Sequence, residues 1–327
     1  MITAPQFWYQ PRSWISRLLI PFSLLYRLAV TLRRSAYALG LKKNRQFSTP
    51  IIVIGNITVG GSGKTPLAIW LVNYLKKQGF QPGLVSRGYG GKTKNRPQVV
   101  TPNSNPRVVG DEAILLARTG CPMVVGVNRP AAIEHLLKNF SCNIVISDDG
   151  LQNYSLSRDI EIAVIDIDSD RQFGNGLCLP AGPLREPKSR LNTVDFFVAK
   201  QLYPVKIYQL KNPEKKINFE ELQGKTIHAV AGLGNPQSFF HQLELLGAKV
   251  IKHAFPDHYF YQKKDFQFRD DKIILMTEKD AVKCKQFNNE RLFCLSVALE
   301  VPEKFSRDFS QHLESKIRSK HLLKNQR

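Results

Sequence analysis

Short aliphatic runs alternate with helical-period segments along most of the chain, and that alternation sets the expected architecture. Ile51-Ile52-Val53-Ile54 is apolar at every position, as a strand buried on both faces requires. Residues 67–75 then repeat with helical spacing and are closed by Lys76, Lys77 and Gly79. The same reading predicts strands at 82–86, 122–125, 143–147, 161–166 and 194–200, with helices at 113–118 and 130–138. Residues 92–106 read as a polar loop, and 203–223, rich in lysine, as a connector. A second alternating series follows. Its strands are expected at 227–231, 249–252, 273–277 and 292–296, and its helices at 236–246, 281–287 and 304–316.

The turn after the first strand carries the clearest chemistry. Gly55-Asn56-Ile57-Thr58-Val59-Gly60-Gly61-Ser62-Gly63-Lys64-Thr65 joins strand to helix in the form of a phosphate-binding loop. Gly60, Gly61 and Gly63 let the backbone N–H groups of 58–65 approach phosphate oxygens, and the helix N-terminus favours an anion. Lys64 suits the β- and γ-phosphates of ATP, and the Thr65 hydroxyl suits Mg2+. Thr58 departs from the usual pattern, which has glycine there. Asp148 and Asp149 end the apolar strand from Asn143, the shape of a Walker B segment with one acid nearer the metal. The chain is therefore expected to be an α/β protein. A P-loop NTPase-type parallel sheet flanked by helices spans 46–202, and a smaller α/β domain spans 203–327, its last helix free to pack on the first unit.

Charge distinguishes the N-terminal third. The chain carries 47 Lys and Arg against 27 Asp and Glu, and no acid precedes Asp111, although sixteen of the bases do. Residues 1–45 read as a basic amphipathic segment, with Leu18, Phe22, Leu25 and Ala29 able to share one helix face. Its apolar run is too short to span a bilayer, but Trp8, Tyr9, Trp14, Arg33 and Arg34 suit an anionic headgroup interface. A plain helix packing on the core fits the pattern equally well. No nucleic-acid-binding motif accompanies the charge, and no obligate protein partner is expected. The five cysteines form no CxxC or Cys/His cluster, which argues against disulfides or structural zinc and suits a reducing cytosol. No cleavable signal pattern is read at the N-terminus.

Other candidate residues lie at strand or loop ends. Arg87 and Tyr89 follow the second strand, where an open α/β sheet lines its ligand crevice. Asp111 is a helix-capping acid by default, yet its place near the phosphate loop makes it a candidate base for a hydroxyl acceptor. Arg185 either clamps phosphate or orients an acid, with an ion pair to Glu186 as the plainer role.

Taken together these stretches resemble the tetraacyldisaccharide 4'-kinase (lipid A 4'-kinase) family. The resemblance rests on the loop of 55–66, Ser86-Arg87-Gly88-Tyr89-Gly90, Gly110-Asp111-Glu112, Ser147-Asp148-Asp149-Gly150-Leu151-Gln152 and Phe173-Gly174-Asn175-Gly176. It continues through the loop of 179–187, Ala231-Gly232-Leu233-Gly234-Asn235-Pro236, Phe255-Pro256-Asp257-His258 and Met276-Thr277-Glu278-Lys279-Asp280-Ala281-Val282. It implies ATP- and Mg2+-dependent phosphorylation of the 4'-hydroxyl of an anionic glycolipid, a disaccharide 1-phosphate, at the cytoplasmic face of an inner membrane. It further implies Asp111 as base paired with His258 from the other domain, and Tyr89, Arg185 and Glu186 as supporting active-site residues. The family usually has His after Asp-Asp-Gly-Leu-Gln. Here that position is Asn153, which cannot exchange a proton in this range. The competing readings are a phosphate-loop kinase for a small soluble substrate and a nucleotide-dependent membrane switch.

Overall fold

Two sheets divide the chain in the computed structural model, which describes residues 5–10, 12–60, 63–92, 96–166 and 172–325. Helices α1 (Trp14–Leu18) and α2 (Ile20–Ala38) come first. The first sheet and its helices follow as β1 (Ile51–Gly55), α3 (Lys64–Lys77), β2 (Pro82–Ser86), β3 (Gln98–Val100), α4 (Pro106–Val109), α5 (Asp111–Ala117), β4 (Met123–Val125), α6 (Arg129–Asn139), β5 (Ile144–Ser147), β6 (Ile160–Ile165) and β7 (Phe196–Ala199). The order across the sheet is β3-β4-β2-β5-β1-β6-β7, with β3 antiparallel to β4 and the other pairs parallel. All five residues of β1 are buried, with Ile52 in register with Ile146 on one side and Ile160 on the other. The aliphatic run thus fills the middle of the sheet, and the loops after β1, β2 and β5 emerge along one edge, where such sheets hold ligands.

The second sheet corrects the expected connector. Residues 203–223 are not a linker. They supply most of β8 (Leu202–Gln209) and β9 (Lys216–Ile217). β8 pairs antiparallel with β13 and buries only Ile207 and Gln209, so its polar and lysine residues face out and mask the strand period. A bulge between Ser296 and Val297 falls opposite Pro204, which has no N–H for the ladder. The rest comprises β10 (Thr226–Ala231), α7 (Pro236–Leu245), β11 (Lys249–Ala254), β12 (Ile274–Thr277), α8 (Glu278–Cys284) and β13 (Leu292–Leu299), in the order β11-β10-β12-β13-β8-β9. The loop of 92–106 also contains structure, since 98–100 form edge strand β3.

The last helix, α9 (Glu303–Asn325), returns to the first sheet. Phe305, Phe309 and Leu313 enter that core against Trp70, Tyr74 and Phe196. The Tyr74 hydroxyl meets Ser310 Oγ at 2.6 Å and donates to the Ser306 carbonyl at 3.0 Å.

Helix α2 is inverted relative to an ordinary core helix. Its polar Ser23 is buried and donates to the Cys178 carbonyl at 2.7 Å, and Tyr26 donates to the Arg185 carbonyl at 3.1 Å. Phe22 and Leu25 are instead 60% and 64% exposed, as is Leu18 at the end of α1, at 66%. The segment thus packs on the protein through Ser23 and Tyr26, the latter against Ile57, Cys178 and Leu184, and leaves an apolar face exposed. No helix among the described residues is long and apolar enough to cross a membrane.

Candidate active site

The phosphate loop joins β1 to α3, and backbone geometry explains its sequence. Gly60 and Gly63 have φ of 114° and 81°, a region that disfavours side chains. Thr58 needs no such freedom, because it forms an antiparallel bridge to Leu184 and keeps a negative φ. The Val59 N–H donates to the Pro183 carbonyl at 2.9 Å, so the loop of 179–187 supports the phosphate loop from one side. The proposed phosphate-binding positions Gly61 and Ser62 lie outside the described residues. Thr65 stands in the first turn of α3, beside Lys64.

Lys64, Arg185, Asn56 and Asp149 form one cluster at the base of that loop. Lys64 Nζ is 3.3 Å from Asp149 Oδ1 and 3.4 Å from Asn56 Oδ1. Arg185 reaches Asp149 Oδ1 at 3.0 Å, donates from Nε to the Thr58 carbonyl at 3.0 Å, and also donates to Asn56 Oδ1. Burial alone would raise the Asp149 carboxyl, but Lys64 and Arg185 outweigh it and hold it well below the usual carboxylate range. Asp148 is the opposite case. It is fully buried, and burial, with the Glu112 charge next, pushes it up to about 7. Arg129, which sequence reasoning missed, is buried beside it and donates to the Asp148 carbonyl at 3.1 Å. Glu186 is also buried, accepting from Gln152 at 2.8 Å and from the Tyr154 hydroxyl. Gln152 in turn donates to the Asn56 carbonyl at 3.0 Å, so Glu186 acts on the loop from beneath. Asn153 turns away, accepting from Ser155 Oγ at 2.6 Å.

The second cluster crosses between the sheets. His258 Nδ1 lies 3.0 and 3.1 Å from the two carboxylate oxygens of Asp111, and both residues are buried. Burial would raise Asp111. The His258 hydrogen bond and the charges of Lys279 and Lys283 prevail and lower it from 3.8 to about 2. An ionised carboxylate only accepts, so Nδ1 carries the proton and donates. The Tyr89 ring, 61% exposed, lies 5.4 Å from the His258 ring, and a Cβ on Gly90 would approach His258 Nδ1 to 2.7 Å. Arg87 stands exposed at the end of β2. Among the described residues, the only non-glycine positions with positive φ are Asp149 at 48° and His258 at 59°, one in each cluster. Such conformations concentrate at functional sites.

A parallel sheet with a lysine-bearing glycine loop, paired strand-end acids and a buried Asp–His pair defines a phosphate-loop kinase. Sequence comparison is more specific. The profile of the Tetraacyldisaccharide-1-P 4'-kinase family matches residues 15–318. A tetraacyldisaccharide 4'-kinase of Coxiella burnetii (strain RSA 331 / Henzerling II) is 64% identical over 310 residues, 94% of each chain. One of Methylobacillus flagellatus is 49% identical over 307 residues, 90% of each. The crystal structure of an "apo" form LpxK from Aquifex aeolicus in complex with ATP matches with a TM-score of 0.75 at 29% identity, covering 91% of this chain and 99% of that one. The chain belongs to the tetraacyldisaccharide 4'-kinase family, and its activity is the ATP-dependent phosphorylation that defines this family in lipid A biosynthesis.

Proposed function

We propose that Asp111 accepts the proton of the acceptor's 4'-hydroxyl while Lys64 and the backbone of 58–65 hold the γ-phosphate of ATP. The observation that carries this reading is the buried Asp111–His258 pair, with His258 in a left-handed conformation. A carboxylate lowered to about 2 is a weak base, so proton transfer comes late, after the bond to phosphorus has largely formed. Most of the rate then comes from positioning and from charge neutralisation by Lys64 and Arg185, as is usual for phosphoryl transfer. Arg87 and Tyr89 contact the acceptor sugar or its 1-phosphate, and Glu186 acts through Gln152.

Mg2+ fits the donor set. The Thr65 hydroxyl and the carboxylates of Asp148 and Asp149 are hard oxygen donors and would hold it. Asp149 is already paired with Lys64 and Arg185, whereas no ion pair among the described residues reaches Asp148. A buried carboxylate pushed up to about 7 is one that an adjacent dication would keep ionised. Held there, Mg2+ would supply charge neutralisation for the transferring phosphate.

The protein works peripherally on the anionic cytoplasmic face of the inner membrane. The exposed apolar face of α2, flanked by Arg17, Arg27 and Arg33, supports this. Residues 46–202 and 203–327, the latter lending α9 to the first core, act as two domains whose closure brings His258 to Asp111. The test is transfer of labelled γ-phosphate from ATP to the purified disaccharide 1-phosphate lipid in detergent, with Asp111→Ala beside the native chain. Labelled glycolipid that is lost in the variant supports the assignment. Undiminished transfer by the variant returns Asp111 to a capping role.

A further inference from the structure

Helix α8 lies against α5, and its first turn carries a charge that the proposed chemistry leaves unused. Lys279 Nζ is 3.0 Å from Asp257 Oδ1 on its own side and 3.1 Å from Glu112 Oε1 across the interface. It also faces His258 Nε2 at 3.5 Å. Its side chain is only 13% exposed. Burial would lower the Lys279 ammonium, but Glu112, Asp111 and Asp257 raise it well above 10.5, so it is charged at any working pH. An ammonium has donors and no acceptor. The imidazole nitrogen opposite it therefore presents a lone pair, and the ring proton stays on Nδ1, where it meets Asp111. One helical turn on, Lys283 approaches Asp111 Oδ2 at 3.5 Å and Asp280 Oδ1 at 3.0 Å. Asp111 consequently keeps a counter-charge even when Lys279 is changed.

We propose that Lys279 is a positioning residue for phosphoryl transfer. Anchored by Asp257 and Glu112, it holds His258 in the Nδ1–H tautomer and so fixes the Asp111 carboxylate toward the acceptor hydroxyl. Because Glu112 belongs to the first unit and Lys279 to the second, the arrangement is complete only while α8 is seated on α5. The proposal rests on the reading of Asp111 and His258 as the reacting pair.

The test compares Lys279→Gln, Lys279→Arg and Asp111→Asn in the full-length protein, using steady-state transfer to the lipid acceptor. It adds 15N–1H correlation of the histidine rings, with His258 identified by its absence in His258→Gln. Lys279→Gln is expected to lower kcat by about 10- to 100-fold, the usual loss when the support of an active group is removed, with KM for ATP and acceptor nearly unchanged. Its His258 ring signal should shift toward a mixture of Nδ1–H and Nε2–H forms. Lys279→Arg, which keeps a positive donor opposite Nε2, should recover most of the lost rate and the native ring signal. Native kcat in Lys279→Gln overturns the proposal. So does equal loss in Gln and Arg variants with an unchanged ring signal, which marks a purely structural role. Asp111→Asn separates the two readings. Full transfer in that variant sinks the dyad itself, whereas loss there beside a native Lys279→Gln sinks only the role of Lys279.

Discussion

Replacing Asp111 by Asn should destabilise the fold, and the sign of the change is the informative part. Active-site carboxylates buried without adequate partners cost stability, and removing them commonly strengthens a protein. Here the reverse is expected. Asp111 is 3% exposed, and the His258 hydrogen bond with the charges of Lys279 and Lys283 lowers its carboxyl from 3.8 to about 2 against the opposing effect of burial. At about 1.4 kcal/mol per pH unit, the ionised form contributes roughly 2 kcal/mol to folding at pH 7. Asn matches the shape of the neutral acid and forfeits that contribution. Its amide also presents a donor toward donors on His258 and Lys283. Because the folded value lies below the unfolded one, the contribution is present above pH 3.8 and fades as pH falls toward 2. Urea unfolding of native and Asp111→Asn protein measures it directly. The native chain should be more stable by roughly 2 kcal/mol at pH 7 and nearly as much at pH 5, with the gap narrowing toward pH 3. A variant as stable as the native chain at pH 7, or more stable, refutes the reasoning.

Arg185→Lys should lower kcat/KM by about 100-fold, since an ammonium cannot span Asn56, Thr58 and Asp149 as the guanidinium does; steady-state kinetics checks it. Phe309→Ala, at a fully buried ring, should cost about 3–5 kcal/mol of unfolding free energy by denaturant titration. Chelation of divalent cations should stop transfer and added Mg2+ restore it, with ATP and acceptor held saturating. Phe22→Asp with Leu25→Asp should release the protein from anionic vesicles in a sedimentation assay while leaving its melting temperature near the native value, because both side chains are already exposed.

The elements that local pattern reveals are those whose surroundings are uniform. Strand β1 is apolar throughout because both its faces are covered, Ile52 and Ile54 entering one core and Ile51 and Val53 another, and its glycine loop is written in residues that only a tight turn demands. Strand β8 is hidden for the opposite reason, since its exposed face admits Lys206 and its bulge admits Pro204. Helix α8 begins at Glu278, three residues before the expected start at Ala281. The Thr277 side chain caps it by accepting from the Asp280 N–H at 3.2 Å, a capping signal carried by Thr277-Glu278-Lys279-Asp280. Lys279 was invisible as a site residue because its partner Glu112 is 167 positions away. No local period encodes a contact of that span. Thr58 departs from the glycine pattern of the loop for a reason likewise remote in sequence, its bridge to Leu184.

The return of α9 to the first sheet has a consequence for biosynthesis. The groove beside Trp70 and Tyr74 is closed by Phe305, Phe309 and Leu313, which leave the ribosome after every strand of both sheets. The nucleotide-binding unit therefore cannot finish its core when its own last strand, β7, emerges, and it must wait for more than a hundred further residues of translation. During that interval the face of α3 that will meet α9 is open and aromatic, a target for chaperones and proteases. Ribosome-stalled chains ending near Glu300 should accordingly be cleaved within the first unit far faster than chains extended past Leu313, and equal resistance would show that this unit folds without waiting.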